Sequence, residues 1–318
     1  MYEPFRELAS QFFNTDSVSL ILSSEWNFVP FTFPMNLEEL PRFIVIGLPA
    51  SESDNILMFP TAGHELGHSI WRQSGHIQTL SRPLRIAIEK AIERDKSLLT
   101  DTFPNTKKKE FDSDLFGKQL RDHFSNVVFA QTSRQLEEIF CDFVGIGIFG
   151  KSYLHAFEYI ISPGMPNRST GQYPDVRDRA DIINREAHKK GCGLPGYETS
   201  FTAAKNLDPT LMLRAVTLSD NLRGLFLDEI SRLADQVLTK AKVPLPQQKD
   251  IDRTKEFFLR GVPVGNESNI GTLVSAAWET ILGSEKEKIE GAIEKTIRHV
   301  TDLVLKSVEA NEFNKWRI

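Results

Sequence analysis

The stretch His64-Glu65-Leu66-Gly67-His68 carries the strongest chemical signal in the chain and is the starting point for its fold. On a helix, residues four positions apart lie on the same face, so both imidazoles can bind one metal ion. Glu65 lies one step further round the helix, where its carboxylate can reach a metal-bound water without being a ligand. Histidine is scarce, with seven in 318 residues, so random placement would produce this pattern in roughly one chain in a hundred. The motif therefore predicts His64 and His68 as zinc ligands and Glu65 as a general base.

A zinc ion held by two histidines needs one more protein ligand and a water. In one known arrangement that ligand is a histidine six residues after the second, but Ser74 occupies this position. In the other arrangement a glutamate comes from a second helix. Glu138 and Asp142 are four residues apart in the largely apolar segment 135–145, so they share a helical face. Buried carboxylates are costly unless a cation or a donor meets them. We therefore expect Glu138 to bind zinc and Asp142 to accept a hydrogen bond from a zinc-bound histidine.

Three neighbours of this pair leave alternatives open. Glu137 is interpreted as part of a solvated acidic face. Cys141 follows Glu138 by three residues and could face the metal, although a buried thiol is more often a small apolar filler. His155 lies beyond the same segment, and a lone histidine in such a sequence is typical of a packed or surface side chain.

The pair of motifs, 64–68 and Glu138-Ile139-Phe140-Cys141-Asp142, resembles the gluzincin clan of metallopeptidases. The separation of the motifs is longer than in thermolysin-like enzymes. It suits the minigluzincins, the family of the CAAX prenyl endopeptidases and the bacterial heat-shock membrane proteases. That family has a His-Pro pair after the glutamate helix and an arginine five residues beyond the proline. Here Pro174 and Arg179 match, but Tyr173 replaces the histidine. The resemblance covers about residues 40–185, and most members of the family carry membrane spans.

The resemblance implies a peptidase with one Zn²⁺ per chain and a peptide or protein as its substrate. Zinc would activate a water, and Glu65 would take its proton and pass that proton to the leaving amine. The tetrahedral oxyanion needs a further donor, and the resemblance places Tyr173 and Arg179 where such donors lie. The alternatives are a turn-flanking aromatic for Tyr173, and for Arg179 a surface ion pair with Asp175 or Asp178.

The residues around the zinc helix predict its boundaries. The apolar, β-branched run 43–49 predicts a strand just before the helix. In zincins the strand beside this helix binds substrate as an added strand, and the plain alternative is a buried core strand. Pro60 and Thr61 predict the start of the helix, with Thr61 as its N-cap. Gly75 predicts its C-cap.

The whole chain is expected to have an α+β fold that is mostly helical. Residues 1–195 would form a zincin-like catalytic domain with a small sheet and the active-site helix, and residues 196–318 a helical C-terminal domain, with a boundary loop at 191–196. The Glu138 helix is expected from about residue 133 to 161 with a break at Gly150, after a separate helix near 113–127.

Composition narrows the function classes. A hydrophobic content of 40% and a charged content of 25% are ordinary for a soluble globular protein. The net charge of −5 without a long basic tract argues against nucleic acid as a partner. Two cysteines, Cys141 and Cys192, do not make a disulfide framework and favour a reducing compartment. The N-terminal residues lack an apolar signal core, and no apolar run is long enough to cross a bilayer. We therefore expect a cytoplasmic protein, while its oligomeric state stays open.

Two functions remain after these exclusions. The first is a zinc-dependent metallopeptidase, because Glu65 has no purpose in a metal scaffold that does not turn over. The alternative is a non-catalytic zinc-containing binding or regulatory module, which the replacement of the family's histidine by Tyr173 favours.

Overall fold

The computed structural model describes residues 2–13, 19–25, 31–33, 43–52, 55–162, 171–203, 212–266, 269–285 and 292–315. Within these residues the fold is mostly helical with one small sheet, which confirms the predicted class at that level. The strands are β1 (Ser19–Glu25), β2 (Phe31–Phe33) and β3 (Phe43–Pro49). The helices are α1 (Tyr2–Phe12), α2 (Pro60–Ser74), α3 (His76–Arg94), α4 (Ser97–Thr102), α5 (Glu110–Ser113), α6 (Leu115–Phe149), α7 (Lys151–Ile161), α8 (Val176–Lys189), α9 (Met212–Gly224), α10 (Leu227–Ala241), α11 (Gln248–Leu259), α12 (Ile270–Glu285) and α13 (Ala292–Lys315).

The strand predicted over residues 43–49 is β3, and it lies in the middle of the sheet order β1-β3-β2. Strand β1 runs parallel to β3 with Ser19 opposite Phe43, and β2 runs antiparallel to it with Phe31 opposite Gly47. Ile44 and Ile46 are buried, as expected for a strand packed in the core. Because β2 already pairs with β3 over 45–47, the expectation that β3 accepts a substrate strand is wrong there.

Helix α6 is the central element of the fold. Every residue from Gln135 to Phe149 is buried, which is what an apolar sequence on all sides of a helix predicts. The helix is continuous from residue 115, so the expected separate helix near 113–127 is wrong. It ends at Gly150, whose φ of 58° lies in the left-handed region that glycine tolerates, and α7 follows directly. The break expected at Gly150 is therefore confirmed.

Helix α2 packs against α6 at very short range. A Cβ atom on Gly67 would lie 2.7 Å from the Cα atom of Cys141, closer than real side chains approach a backbone. One turn earlier, a Cβ atom on Gly63 would lie 2.8 Å from the ring of Phe149. The two glycines therefore let the backbone of α2 approach α6, and this sets the distance between the motifs that the two helices carry.

The cap residues predicted for α2 are confirmed at its C-terminus but not at its N-terminus. Gly75 caps the C-terminus with φ 65°, as predicted. The N-cap position is occupied by Phe59 instead of Thr61, whose hydroxyl donates to the carbonyl oxygen of Met58 at 2.8 Å. The N-cap prediction is wrong because Pro60, which needs no backbone N–H partner, already occupies the first helical position.

The main hydrophobic core contains residues from both sides of the boundary predicted at residue 195. Leu66 and Phe140 belong to the same buried cluster as Val274 of α12 and Val304 of α13. The indole nitrogen of Trp278 also donates to the carbonyl oxygen of Leu57, just before α2, at 3.1 Å. The C-terminal helices thus support the elements that carry the motifs, while the division into two domains stays a prediction. Among the described residues, no helix combines the length and apolar character that crossing a membrane requires.

Candidate metal centre

Helices α2 and α6 bring the three predicted ligands together. The Nε2 atom of His64 lies 3.4 Å from Oε2 of Glu138, and the Nε2 atom of His68 lies 3.6 Å from Oε1 of the same carboxylate. The two imidazoles meet edge to face, with ring centroids 4.9 Å apart. Glu138 and His68 are buried, and the side chain of His64 is 11% exposed. Both histidines therefore direct the same ring nitrogen at one buried carboxylate.

The other ring nitrogen of each histidine is held by a second carboxylate. Nδ1 of His64 lies 2.9 Å from Oδ1 of Asp142, and Nδ1 of His68 lies 2.9 Å from Oε1 of Glu137. A carboxylate only accepts, so we assign a proton to each Nδ1 atom. This arrangement orients both rings and leaves Nε2 available to a metal ion.

The structure confirms that the carboxylate of Asp142 lies at hydrogen-bonding distance from a histidine of the motif, but it contradicts the interpretation of Glu137. The interpretation of Glu137 as a solvated residue is wrong, because it is 9% exposed and accepts from His68. A sequence signal did exist: two histidines predicted to bind a metal ion would each need an acceptor for the other ring nitrogen, and α6 offers three carboxylates within one turn and a half.

Asp142 is fully buried and accepts from several donors. The guanidinium of Arg179 donates through Nε to Oδ2 at 2.7 Å and through Nη2 to Oδ1 at 2.8 Å. The hydroxyl of Tyr153 donates to Oδ1 at 2.6 Å. Nη2 of Arg179 also lies 3.3 Å from Oε2 of Glu138. The surface ion pair considered for Arg179 is therefore wrong, since this side chain reaches from α8 into the centre.

A second arginine, Arg134, reaches the centre from one turn earlier on α6. Its Nη1 atom lies 3.0 Å from Oε2 of Glu137, and its Nη2 atom lies 2.9 Å from Oε1 of Glu138. The same guanidinium lies 5.9 Å from the ring centroid of Tyr173, which is 46% exposed. Tyr173 is thus connected to the centre through Arg134, and its role as an oxyanion donor stays a prediction. Sequence reasoning did not identify Arg134, although its i,i+4 spacing to Glu138 was visible.

The buried charges shift one another's proton affinities. Burial disfavours the charge on Glu138, but hydrogen bonding with His64 and the positive charge of Arg179 outweigh it and hold the pKa of Glu138 well below its ordinary value. Burial likewise opposes the ionised form of Asp142, and Arg179 and His64 lower its pKa. For His64, burial is outweighed by hydrogen bonds to Asp142 and Glu138, which raise its pKa to about 10. The centre therefore stabilises positive charge where His64 faces the two carboxylates.

Glu65 differs from the other carboxylates of the centre. It is buried beside the two histidines, and this burial raises its pKa. In the part of the chain that the structure describes, no hydrogen bond or ion pair reaches its carboxylate. A carboxylate with raised proton affinity and no competing partner has the properties required of a general base.

Cys141 gives the centre a second candidate for its third ligand. His64, His68 and Cys141 are buried, and one possible ligand atom of each lies within 4.8 Å of the others, so this group could hold a metal ion. Burial and then the nearby charge of Glu138 raise the pKa of the Cys141 thiol well above its ordinary value. His155, by contrast, stacks on Trp278, with ring centroids 5.2 Å apart.

Comparisons with known proteins add no further assignment. Models of known protein families, curated proteins and solved structures were all compared with the chain, and none matches. The resemblance to gluzincins therefore depends on the two motifs and on the geometry that joins them.

Proposed function

We propose that this protein is a zinc-dependent metallopeptidase in which His64, His68 and Glu138 hold the metal and Glu65 is the general base. The observation that carries the proposal is the convergence of both Nε2 atoms on one buried carboxylate, while both Nδ1 atoms are held by other carboxylates. Two nitrogen donors and one carboxylate oxygen make up a donor set that catalytic zinc sites use.

The charges and hydrogen bonds of His64, His68 and Glu138 are those expected of a site for a divalent cation. Positive charge must lie between an imidazole Nε2 atom and a carboxylate, either as a proton on the ring or as a metal ion. Two protonated rings with centroids 4.9 Å apart would repel each other, whereas a single divalent ion serves both nitrogens. Oε1 of Glu138 is also buried without a hydrogen bond, because the nearby Arg134 is close enough for an ion pair but not aligned for a hydrogen bond.

The charge balance of the centre supports the same conclusion. With neutral imidazoles, four carboxylates outnumber three guanidinium groups, so the centre retains negative charge. The carboxylates are those of Glu65, Glu137, Glu138 and Asp142, and the guanidinium groups are those of Arg72, Arg134 and Arg179.

When bound, zinc would activate a water and polarise the carbonyl of the scissile peptide bond. Glu65 would take the proton of that water and deliver it to the leaving amine, since its raised pKa suits it to both transfers. Of the two proposed oxyanion donors, Arg179 has its guanidinium beside Glu138, with Nη2 3.3 Å from Oε2. Tyr173 is the second, reached through Arg134.

The experiment combines metal analysis with a proteomic cleavage-site profile. The purified parent should contain about one zinc per chain and His64→Ala none. Glu65→Gln should keep the zinc and abolish cleavage, while the exposed Glu256→Gln, which makes the same chemical change away from the centre, should behave like the parent. Cleavage by Glu65→Gln at the parental rate would refute the assignment of the base.

A non-catalytic zinc-containing module is the second candidate. It is favoured by Tyr173, which occupies the position of the resembled family's histidine and is half-exposed, with its ring centroid 5.9 Å from the guanidinium of Arg134. The same experiment separates the two functions. A parent protein that contains zinc but yields the same cleavage profile as Glu65→Gln would be such a module.

A further inference from the structure

We propose that Tyr153 is a positioning residue of the metal centre, whose hydroxyl holds Asp142 and the Nδ1 side of His64 so that Nε2 faces the metal. This inference rests on the proposed function and assigns a role in it to a residue outside both motifs. The Tyr153 hydroxyl lies 2.6 Å from Oδ1 of Asp142 and 3.3 Å from Nδ1 of His64. It therefore touches the ligand and the partner of that ligand at the same time.

The hydroxyl keeps its proton and donates to the carboxylate. The contact with Oδ1 of Asp142 is only 2.6 Å long, and a carboxylate oxygen can only accept, so the proton of this hydrogen bond comes from the phenol. Its oxygen then has lone pairs left to accept from His64, so the Nδ1 proton can be shared between Asp142 and Tyr153. Both contacts keep that proton on Nδ1 and leave the lone pair on Nε2.

Glycines in the surrounding backbone leave space for the Tyr153 ring. A Cβ atom on Gly145 would lie 2.5 Å from this ring, so the ring occupies the space that a side chain would fill there. Gly145 follows Asp142 by three residues on α6, and Gly150 lets the chain turn into α7, which carries Tyr153. Two glycines thus place the phenol directly against the carboxylate.

Tyr153 and Arg179 hold Asp142 from different elements. Arg179 comes from α8 and contacts both oxygens, which fixes the plane of the carboxylate. Tyr153 comes from α7 and contacts only Oδ1, the oxygen that also meets His64. Without the hydroxyl, Asp142 remains paired with Arg179, but Oδ1 loses a donor and Nδ1 of His64 loses an acceptor. We therefore expect His64 to be oriented less well while the fold persists.

The test compares Tyr153→Phe with Tyr197→Phe. Tyr197 is also a buried tyrosine, and its hydroxyl donates to the backbone carbonyl oxygen of Leu154 at 2.6 Å instead of to a carboxylate of the centre. Zinc dissociation constants are measured by competition with a chelating indicator, after circular dichroism has shown that both variants fold. Tyr153→Phe should bind zinc about tenfold more weakly, as expected for the loss of an outer partner, and Tyr197→Phe should match the parent.

A second measurement needs no variant. Long-range ¹H–¹⁵N spectra of the parent should show His64 protonated on Nδ1, with a nuclear Overhauser contact from the Tyr153 hydroxyl proton to that ring. Equal zinc affinities of Tyr153→Phe and Tyr197→Phe, or a His64 ring without this contact, would overturn the inference while leaving the proposed function intact. A parent protein that binds no zinc would overturn both.

Discussion

Replacing Gly67 with alanine tests the close approach of α2 and α6, on which the metal centre depends. The new Cβ atom would lie 2.7 Å from Cα and 3.0 Å from Cβ of Cys141. These distances are about 1 Å shorter than a favourable carbon–carbon contact. Because the nearest obstacle is backbone, the two helices must move apart. Overpacking of this kind costs about 1–3 kcal/mol, and the higher helix propensity of alanine offsets about 1 kcal/mol.

Gly283→Ala is the matched control. Gly283 lies in the last turn of α12, and among the described residues no atom lies within 4 Å of the position that its Cβ would take, so only the propensity gain applies. We expect Gly283→Ala to be slightly more stable than the parent, by about 0.5 kcal/mol. With a propensity gain of about 1 kcal/mol at Gly67 and about 0.5 kcal/mol at Gly283, the free energies of unfolding of the two variants should differ by about 0.5–2.5 kcal/mol.

The assay is denaturant unfolding followed by circular dichroism, with zinc binding measured on the same samples. Gly67→Ala should also bind zinc more weakly, because separating the helices moves Glu138 away from the imidazoles. If Gly67→Ala unfolds at the same denaturant concentration as Gly283→Ala, or binds zinc as tightly as the parent, α2 and α6 do not approach each other closely at Gly67 and Cys141.

The remaining predictions concern the third ligand, the second acceptor and a histidine outside the centre. Glu138→Ala should lose zinc and Cys141→Ala should keep it; a thiolate charge-transfer band in the cobalt-loaded parent would instead identify Cys141 as the ligand. Glu137→Gln should weaken zinc binding about ten- to a hundredfold, and an unchanged dissociation constant would show that Glu137 does not orient His68 for the metal. Burial and then the charge of Lys151 lower the pKa of His155 to about 4. In the unfolded chain the imidazole of His155 therefore binds a proton near pH 6.5, whereas in the folded chain it stays neutral until about pH 4. The free energy of unfolding should fall by at most roughly 3 kcal/mol as the pH drops from about 6.5 to about 4. His155→Phe should flatten this dependence in melting curves, and an unchanged slope would contradict the assignment.

Local patterns were sufficient for part of the fold. The strand over 43–49 was predicted because a short β-branched apolar run favours an extended conformation. The end of α2 was predicted because Gly75 tolerates the left-handed conformation that a helix C-cap needs. The two motif helices were predicted because a spacing of four residues places side chains on one face. Each of these signals acts within a few residues of the chain.

Other predictions failed where the outcome depended on distant residues. The sequence predicts a break before the Glu138 helix, but α6 runs continuously, because Phe124 and Val128 pack into a buried cluster with residues of α3 and α9. Arg179 and Glu137 were given surface alternatives, since charged residues usually lie on the surface. Both are buried because each meets an opposite charge or a donor from another helix.

The amino-acid sequence therefore specifies which side chains share a helical face: His64 with His68, and Glu138 with Asp142. It cannot specify which groups on other helices meet those faces. That depends on how closely α2 approaches α6 through Gly67, and on the turn at Gly150 that carries Tyr153 back to Asp142. The physical reason is range, because helical periodicity is a property of neighbouring residues, whereas the pairing of buried charges is settled only when the whole core packs.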